Sequence, residues 1–279
     1  MPAAYPIQSI HQHFFQVASW VDPGRTADIL SVGQPDRRVH RIGVGWSACA
    51  QNLEAAAADG CELFISHESL FYGPQWAAGI DSADTPWGRR RRAALESYGM
   101  ACLRLHDTWD NFPEVGIREA WRKFLGLGEL VAEQPYHRPG GDFYAPGKSL
   151  ALSRVPPTTL GAFAANLSAR CKAYPCFGGA LVCGHPAAEV RLVATGVGCH
   201  IPTLEMHELG ADVLVVTLDR ALQESIRVPL AEMNASWIAV EHGISEMPGM
   251  QSLAAYLERA FPGVQATFYS REPAVWLAD

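Results

Sequence analysis

Runs that are apolar at consecutive positions constrain this chain most: LFI at Leu63–Ile65, VLVV opening Val213–Thr217, and WIAV at Trp237–Val240. Neighbouring side chains of a strand point to opposite faces, so a run without alternation needs apolar cover on both sides. Helices packed on both faces of a sheet provide that cover, and they do so mainly in α/β proteins with parallel strands. Segments with helical character separate the runs: Ala48–Ala58, Arg89–Ser97, Ile117–Leu125, Thr159–Arg170, Pro202–Leu209 and residues 220–233, interrupted by Pro229. The pattern predicts an α/β fold of largely parallel sheets flanked by helices.

The strand-and-helix series falls into two parts. Residues 128–150 mix proline, glycine and aromatic side chains and read as a linker or functional loop. The expected lobes are therefore residues 1–128 and 150–279, with 129–149 between them. A chain of 279 residues is long enough for two ordinary lobes. Further strands are expected at Val39–Val44, Met100–Leu105, Leu150–Ser153, Val190–Ala194 and Ala266–Tyr269. Residues 7–20 read as an amphipathic helix with Ile10, Phe14, Val17 and Ala18 inward. A helix capped by Ser245 is expected to bury Met250, Leu253, Leu257 and Phe261.

The apolar runs end abruptly in ligand-type residues. Leu63–Ile65 leads to His67 and Glu68, Met100–Leu105 to His106, Asp107 and Asp110, and Trp237–Val240 to His242 and Glu246. Strand exits are where α/β proteins place their chemistry. Imidazole and carboxylate are both competent metal ligands, and two histidines with three carboxylates can hold a pair of divalent ions. Such a pair activates water and polarises a carbonyl or phosphoryl group. The plainer alternatives stay open at this point. His106 can be a residue bonding backbone, Asp107 a cap or turn residue, and His242 with Glu246 a turn stabilised by a helix N-terminus.

Other chemistries have little support. Neither a GxSxG elbow nor a Walker phosphate loop is present, and Gly196-Val197-Gly198 is half of a dinucleotide fingerprint. Cys199 and His200 are adjacent, which seldom gives a nucleophile–base pair. Seven scattered cysteines without a CxxC fit a reducing cytoplasm better than a disulfide framework. The N-terminus lacks the basic start and apolar run of a signal peptide, and no apolar stretch is long enough to span a bilayer. A net charge of −7 argues against general nucleic-acid binding. Arg89–Arg92 reads as a solvated face, or else as a contact for an anion or a second subunit.

These motifs, in this order, resemble the Nif-three-like family, whose members are also called GTP cyclohydrolase I type 2 homologues. ELFISHESLF is similar to the family's strand-plus-HHP signature and LHDTWDNFPEVGI to its HTNLD segment. ADVLVVTLD and WIAVEHGISE resemble its ADVxxTGE strand and GHxxxE metal motif, and ADILSVGQPDRRVHRIGV parallels its D–x–G stretch. The resemblance implies two lobes, a dinuclear metal site between them and assembly as a toroidal hexamer. Carried over residue by residue, it makes His67, Asp110, His242 and Glu246 metal ligands. Glu68 stands where the family has a second histidine, Leu218-Asp219 near its TGE glutamate, and Glu241 at its GH glycine.

The expectation is a cytoplasmic, metal-dependent hydrolase acting on a small molecule, with His67, Glu68, Asp110, His242 and Glu246 holding two divalent ions and His106 as the base. An added carboxylate at Glu68 favours iron or manganese at least as well as zinc. Arg89–Arg92 and residues 136–144 are the expected substrate contacts, and the Arg89–Arg92 face with the loop around Trp76 is an expected subunit contact. The rival expectation is a non-catalytic metal-binding oligomer serving as regulator, chaperone or scaffold.

Overall fold

The computed structural model describes residues 3–71, 85–135, 149–174, 178–196, 198 and 201–271. The loop around Trp76 and residues 136–144 lie outside the described residues, as do Cys176, Cys199 and His200. The described chain forms two compact units. Those residues up to Gly116 and from Gly249 onward make up the first, and Ile117 to Pro248 the second.

The first unit begins with β1 (Tyr5–Pro6), α1 (Ile7–Val17), β2 (Leu30–Val32), β3 (Arg38–Val39), β4 (Arg41–Gly45) and α2 (Ala50–Ala58). It continues with β5 (Leu63–Ser66), α3 (Pro86–Tyr98), β6 (Ala101–Arg104) and α4 (Asp107–Asp110). The second unit carries α5 (Ile117–Leu125), β7 (Leu130–Pro135), β8 (Ser149–Thr159), α6 (Leu160–Cys171), β9 (Ala180–Cys183), β10 (Glu189–Thr195) and α7 (Thr203–Glu208). After them come β11 (Val213–Thr217), α8 (Leu218–Ala221), α9 (Glu224–Glu232), β12 (Trp237–Val240) and α10 (His242–Ala260). The chain returns to the first unit within α10, from Gly249 onward, and β13 (Gln265–Tyr269) follows.

In the first unit the sheet order is β13-β4-β5-β6-β2. All neighbours are parallel except β2, which runs antiparallel to β6. The strand β5 is central and buried at every position, as its unbroken apolar run requires. Helices α2 and α3 pack against the sheet, α2 on β4 and β13 and α3 on β6. Gly43 and Gly45 make room for Phe64 of the next strand: a Cβ at either would come within 2.8 Å of its ring. A second apolar group gathers Phe14, Trp109, Phe112 and Tyr256 around edge-on ring contacts, and Trp109 Nε1 donates to Gly249 O.

In the second unit the order is β7-β8-β10-β11-β12-β9. The three inner strands β10, β11 and β12 are parallel, and β8, β7 and β9 add antiparallel margins. Leu152, Ala194, Leu214, Val216 and Ala239 form its core with Met206, Ile226 and Leu230 from α7 and α9.

Several expectations are corrected. Residues 130–135, expected in a linker, pair with β8, because an antiparallel strand can follow alternate or polar sequence at a sheet margin. The strands are not divided linearly at 128 and 150, since β13 from the C-terminal end pairs with β4. Val17 is 36% exposed, whereas Ile7 takes the inward position with Ile10 and Phe14. Helix α3 starts at Pro86, ahead of the arginines, with the Thr85 hydroxyl capping it at Gly88 N. Helix α10 starts at His242 and runs through Pro248. Ser245 is inside it and donates to His242 O, while the Glu241 carboxylate accepts from Ile244 N. Helix α9 likewise contains Pro229. Among the described residues no helix is long and apolar enough to cross a membrane.

Candidate metal centre

In the first unit, β5 and β6 run parallel and end side by side, so both strand exits open at one end of the sheet. The chain leaving β5 is tied down by His67 N and Glu68 N, both donating to Trp46 O. His67 is fully buried, its Nδ1 lying 3.2 Å from Leu105 O. A carbonyl only accepts, so that nitrogen carries the proton and Nε2 keeps its lone pair. Nε2 faces Asp110 Oδ1 at 3.4 Å. The His106 ring stacks on His67, with centroids 4.4 Å apart and planes 17° from parallel. His67, His106 and Asp110 each offer a ligand atom within 4.8 Å of the others, a set able to hold a metal ion. Glu68 follows and is buried.

A clamp from the β2 side sets this turn. Asp28 is buried, and its carboxylate accepts from three successive backbone N–H groups, those of His106, Asp107 and Thr108. Asp107 Oδ2 accepts from the Thr26 hydroxyl and from Ala27 N, and Oδ1 lies 2.8 Å from His106 Nδ1. Burial alone would raise the Asp107 pKa. The hydrogen bond and charge of His106, with the donors at Ala27 and Thr26, instead hold it far below the usual carboxylate range. Asp28 moves the other way: burial and the neighbouring Asp107 charge push it up against its backbone hydrogen bonds. His106 thus bonds a carboxylate rather than backbone, and Asp107 orients its imidazole rather than acting as a cap.

In the second unit, β12 delivers His242 and Glu246 one helical turn apart on α10, which puts them on the same face. His242 Nε2 and Glu246 Oε1 are 3.2 Å apart, and His242 Nδ1 is 3.3 Å from Asp219 Oδ2 at the exit of β11. Glu246 is buried.

The structure therefore brings together His67, His106 and Asp110 in one unit and His242 with Glu246 in the other. The supporting residues Thr26 and Asp28 escaped the sequence reading, and Asp219 entered it only through the family resemblance. For Asp219 a signal existed, since it follows the apolar run VLVVT just as His67 and His242 follow theirs. Of the arginines, Arg91 donates to Leu70 O and Arg92 lies over the Phe71 ring.

Residues 18–274 match the model of the Duf34/NIF3 (NGG1p interacting factor 3) family. A Treponema pallidum protein named GTP cyclohydrolase 1 type 2 homolog is 30% identical over 98 residues, 35% of this chain and 32% of that protein. That match spans about a third of the length of the curated relative. Among solved structures, Staphylococcus aureus protein SA1388 is similar with a TM-score of 0.76 at 16% identity, over 98% of this chain and 99% of that one. The Bacillus cereus protein related to NIF3 gives 0.74 at 14% identity with the same coverage. At such identities the structural likeness shows the fold.

Proposed function

The chain belongs to the Duf34/NIF3 family, and from that premise we propose that it is a metal-dependent hydrolase of small molecules with a dinuclear centre. The observation that carries this reading is the buried convergence of His67, His106 and Asp110, with both rings fixed through Nδ1. The donor set of imidazole nitrogen and carboxylate oxygen suits iron(II), manganese or zinc. When bound, such ions acidify water and polarise a carbonyl or phosphoryl oxygen. In the first unit the proposed ligands are His67 and Asp110, with Glu68 in place of a histidine, and in the second unit they are His242 and Glu246. His106 is the proton-handling group. With Asp107 on Nδ1, its Nε2 is the basic atom, and Asp107 steadies the imidazolium formed when Nε2 takes a proton.

The test is elemental analysis of purified protein, followed by a panel of small amides, amidines, esters and phosphoesters with iron, manganese or zinc supplied. Two metals per subunit and turnover of at least one substrate class are expected. His106→Ala should lose turnover by roughly a hundredfold or more while keeping its metal. Loss of metal in that variant would make His106 a ligand. Glu68→Ala should lose about one metal per subunit. Metal without turnover of any class would overturn the hydrolase reading.

A further inference from the structure

Asp219 has no place in the ligand set, yet it faces one of that set's histidines. The His242 ring stands between two carboxylates, Asp219 Oδ2 at 3.3 Å from Nδ1 and Glu246 Oε1 at 3.2 Å from Nε2. A neutral imidazole has one N–H, so only one of these carboxylates can receive it. The two are not alike: the Asp219 side chain is 47% exposed and that of Glu246 only 2%.

If the proton sat on Nε2 it would be shared with Glu246, and both atoms would be lost as ligands. If it sits on Nδ1 and is accepted by Asp219, Nε2 and Glu246 present two lone-pair donors side by side. The first unit shows the same choice twice. The Nδ1 of His67 is bound to Leu105 O and that of His106 to Asp107, which leaves Nε2 as the nitrogen without the proton in each neutral ring. Which ring nitrogen carries the proton is set by the hydrogen bond the other makes.

We infer that Asp219 is a positioning residue that holds His242 as the Nδ1–H tautomer, so that Nε2 and Glu246 act together as metal ligands. The inference rests on the metal-centre reading above for its purpose, but the tautomer itself can be read without metal.

The experiment is imidazole nitrogen NMR on metal-free full-length protein at pH 9, with the His242 signals assigned by their loss in His242→Gln. Wild type should show a protonated Nδ1 and a bare Nε2. In Asp219→Ala the proton should move toward Nε2, which lies 3.2 Å from Glu246 Oε1. Asp219→Asn, which keeps an acceptor oxygen, should restore the wild-type pattern. Cobalt(II) affinity, measured by chelator competition, should fall roughly 10- to 100-fold in Asp219→Ala and less in Asp219→Asn. A wild-type Nε2–H, or an unchanged tautomer in Asp219→Ala, would overturn the proposal. So would equal loss of cobalt in both variants with no tautomer change, which would make Asp219 a ligand itself. If wild type bound no cobalt while the tautomer responded as expected, the metal-centre reading would fall and the positioning role would stand.

Discussion

A buried carboxylate that accepts from three successive backbone N–H groups, as Asp28 does, holds its partner segment more firmly than any surface contact could. Removing it leaves those donors without their acceptor inside the protein, and each such loss has a cost. Asp28→Ala should therefore destabilise the protein by about 3 kcal/mol in urea denaturation, with Asp28→Asn in between. A loss below about 1 kcal/mol would mean that the turn at His106–Asp110 holds itself. At this scale much of the candidate site was legible. His67, His106, Asp110, His242 and Glu246 stand out because imidazole and carboxylate side chains directly follow apolar runs. Asp28 and Thr26 did not stand out, because a side chain that bonds distant backbone leaves no local pattern.

At the scale of elements, β4 and β5 are joined at their start by Glu62, whose Oε2 accepts from His40 N and Arg41 N. Burial would raise the Glu62 pKa. The two backbone donors and the neighbouring His40 outweigh it and pull the value below the ordinary 4.5. The folded state therefore holds this proton more weakly than the unfolded chain, so the stabilisation is present above pH 4.5 and disappears as pH falls through the lowered value. The group is partly exposed, which limits the gain to a fraction of about 1 kcal/mol. Glu62→Gln should accordingly melt slightly below wild type at pH 7, and the gap should shrink in thermal scans taken at progressively lower pH below 4.5. A gap that widened in acid would contradict the assignment. Central strands and long helices were readable from sequence because their hydrophobic periods are strong. The marginal strands β7 and β9 were not: their exposed and partly exposed residues give no alternation to find.

For the whole molecule, the chain's path matters more than its order. The first unit is completed only by residues that come last, since β13 pairs with β4 and Tyr256 of α10 packs on Trp109 and Phe112. A fragment of residues 1–116 would leave β4 as an open edge and expose that aromatic group to water. We expect this fragment to lack cooperative thermal unfolding and dispersed amide resonances. The same piece co-expressed with residues 117–279 should regain both. A well-folded 1–116 fragment would show that the unit does not depend on its C-terminal strand. We expect light scattering on the full chain to give a hexamer, as the family resemblance implies, and a monomer would count against it.

The sequence by itself determined the α/β class, the buried strands and the residue types at their exits, because those depend on hydrophobic period and on side chains adjacent in the chain. Only the tertiary structure decided that His106 stacks on His67, that Asp107 bonds His106 Nδ1 and Asp219 lies 3.3 Å from His242 Nδ1, and that the last strand belongs to the first sheet. Each of these is a contact between residues far apart in sequence or a choice of side-chain direction. Hydrophobic patterning sets which face of an element is buried, but not which distant element covers it.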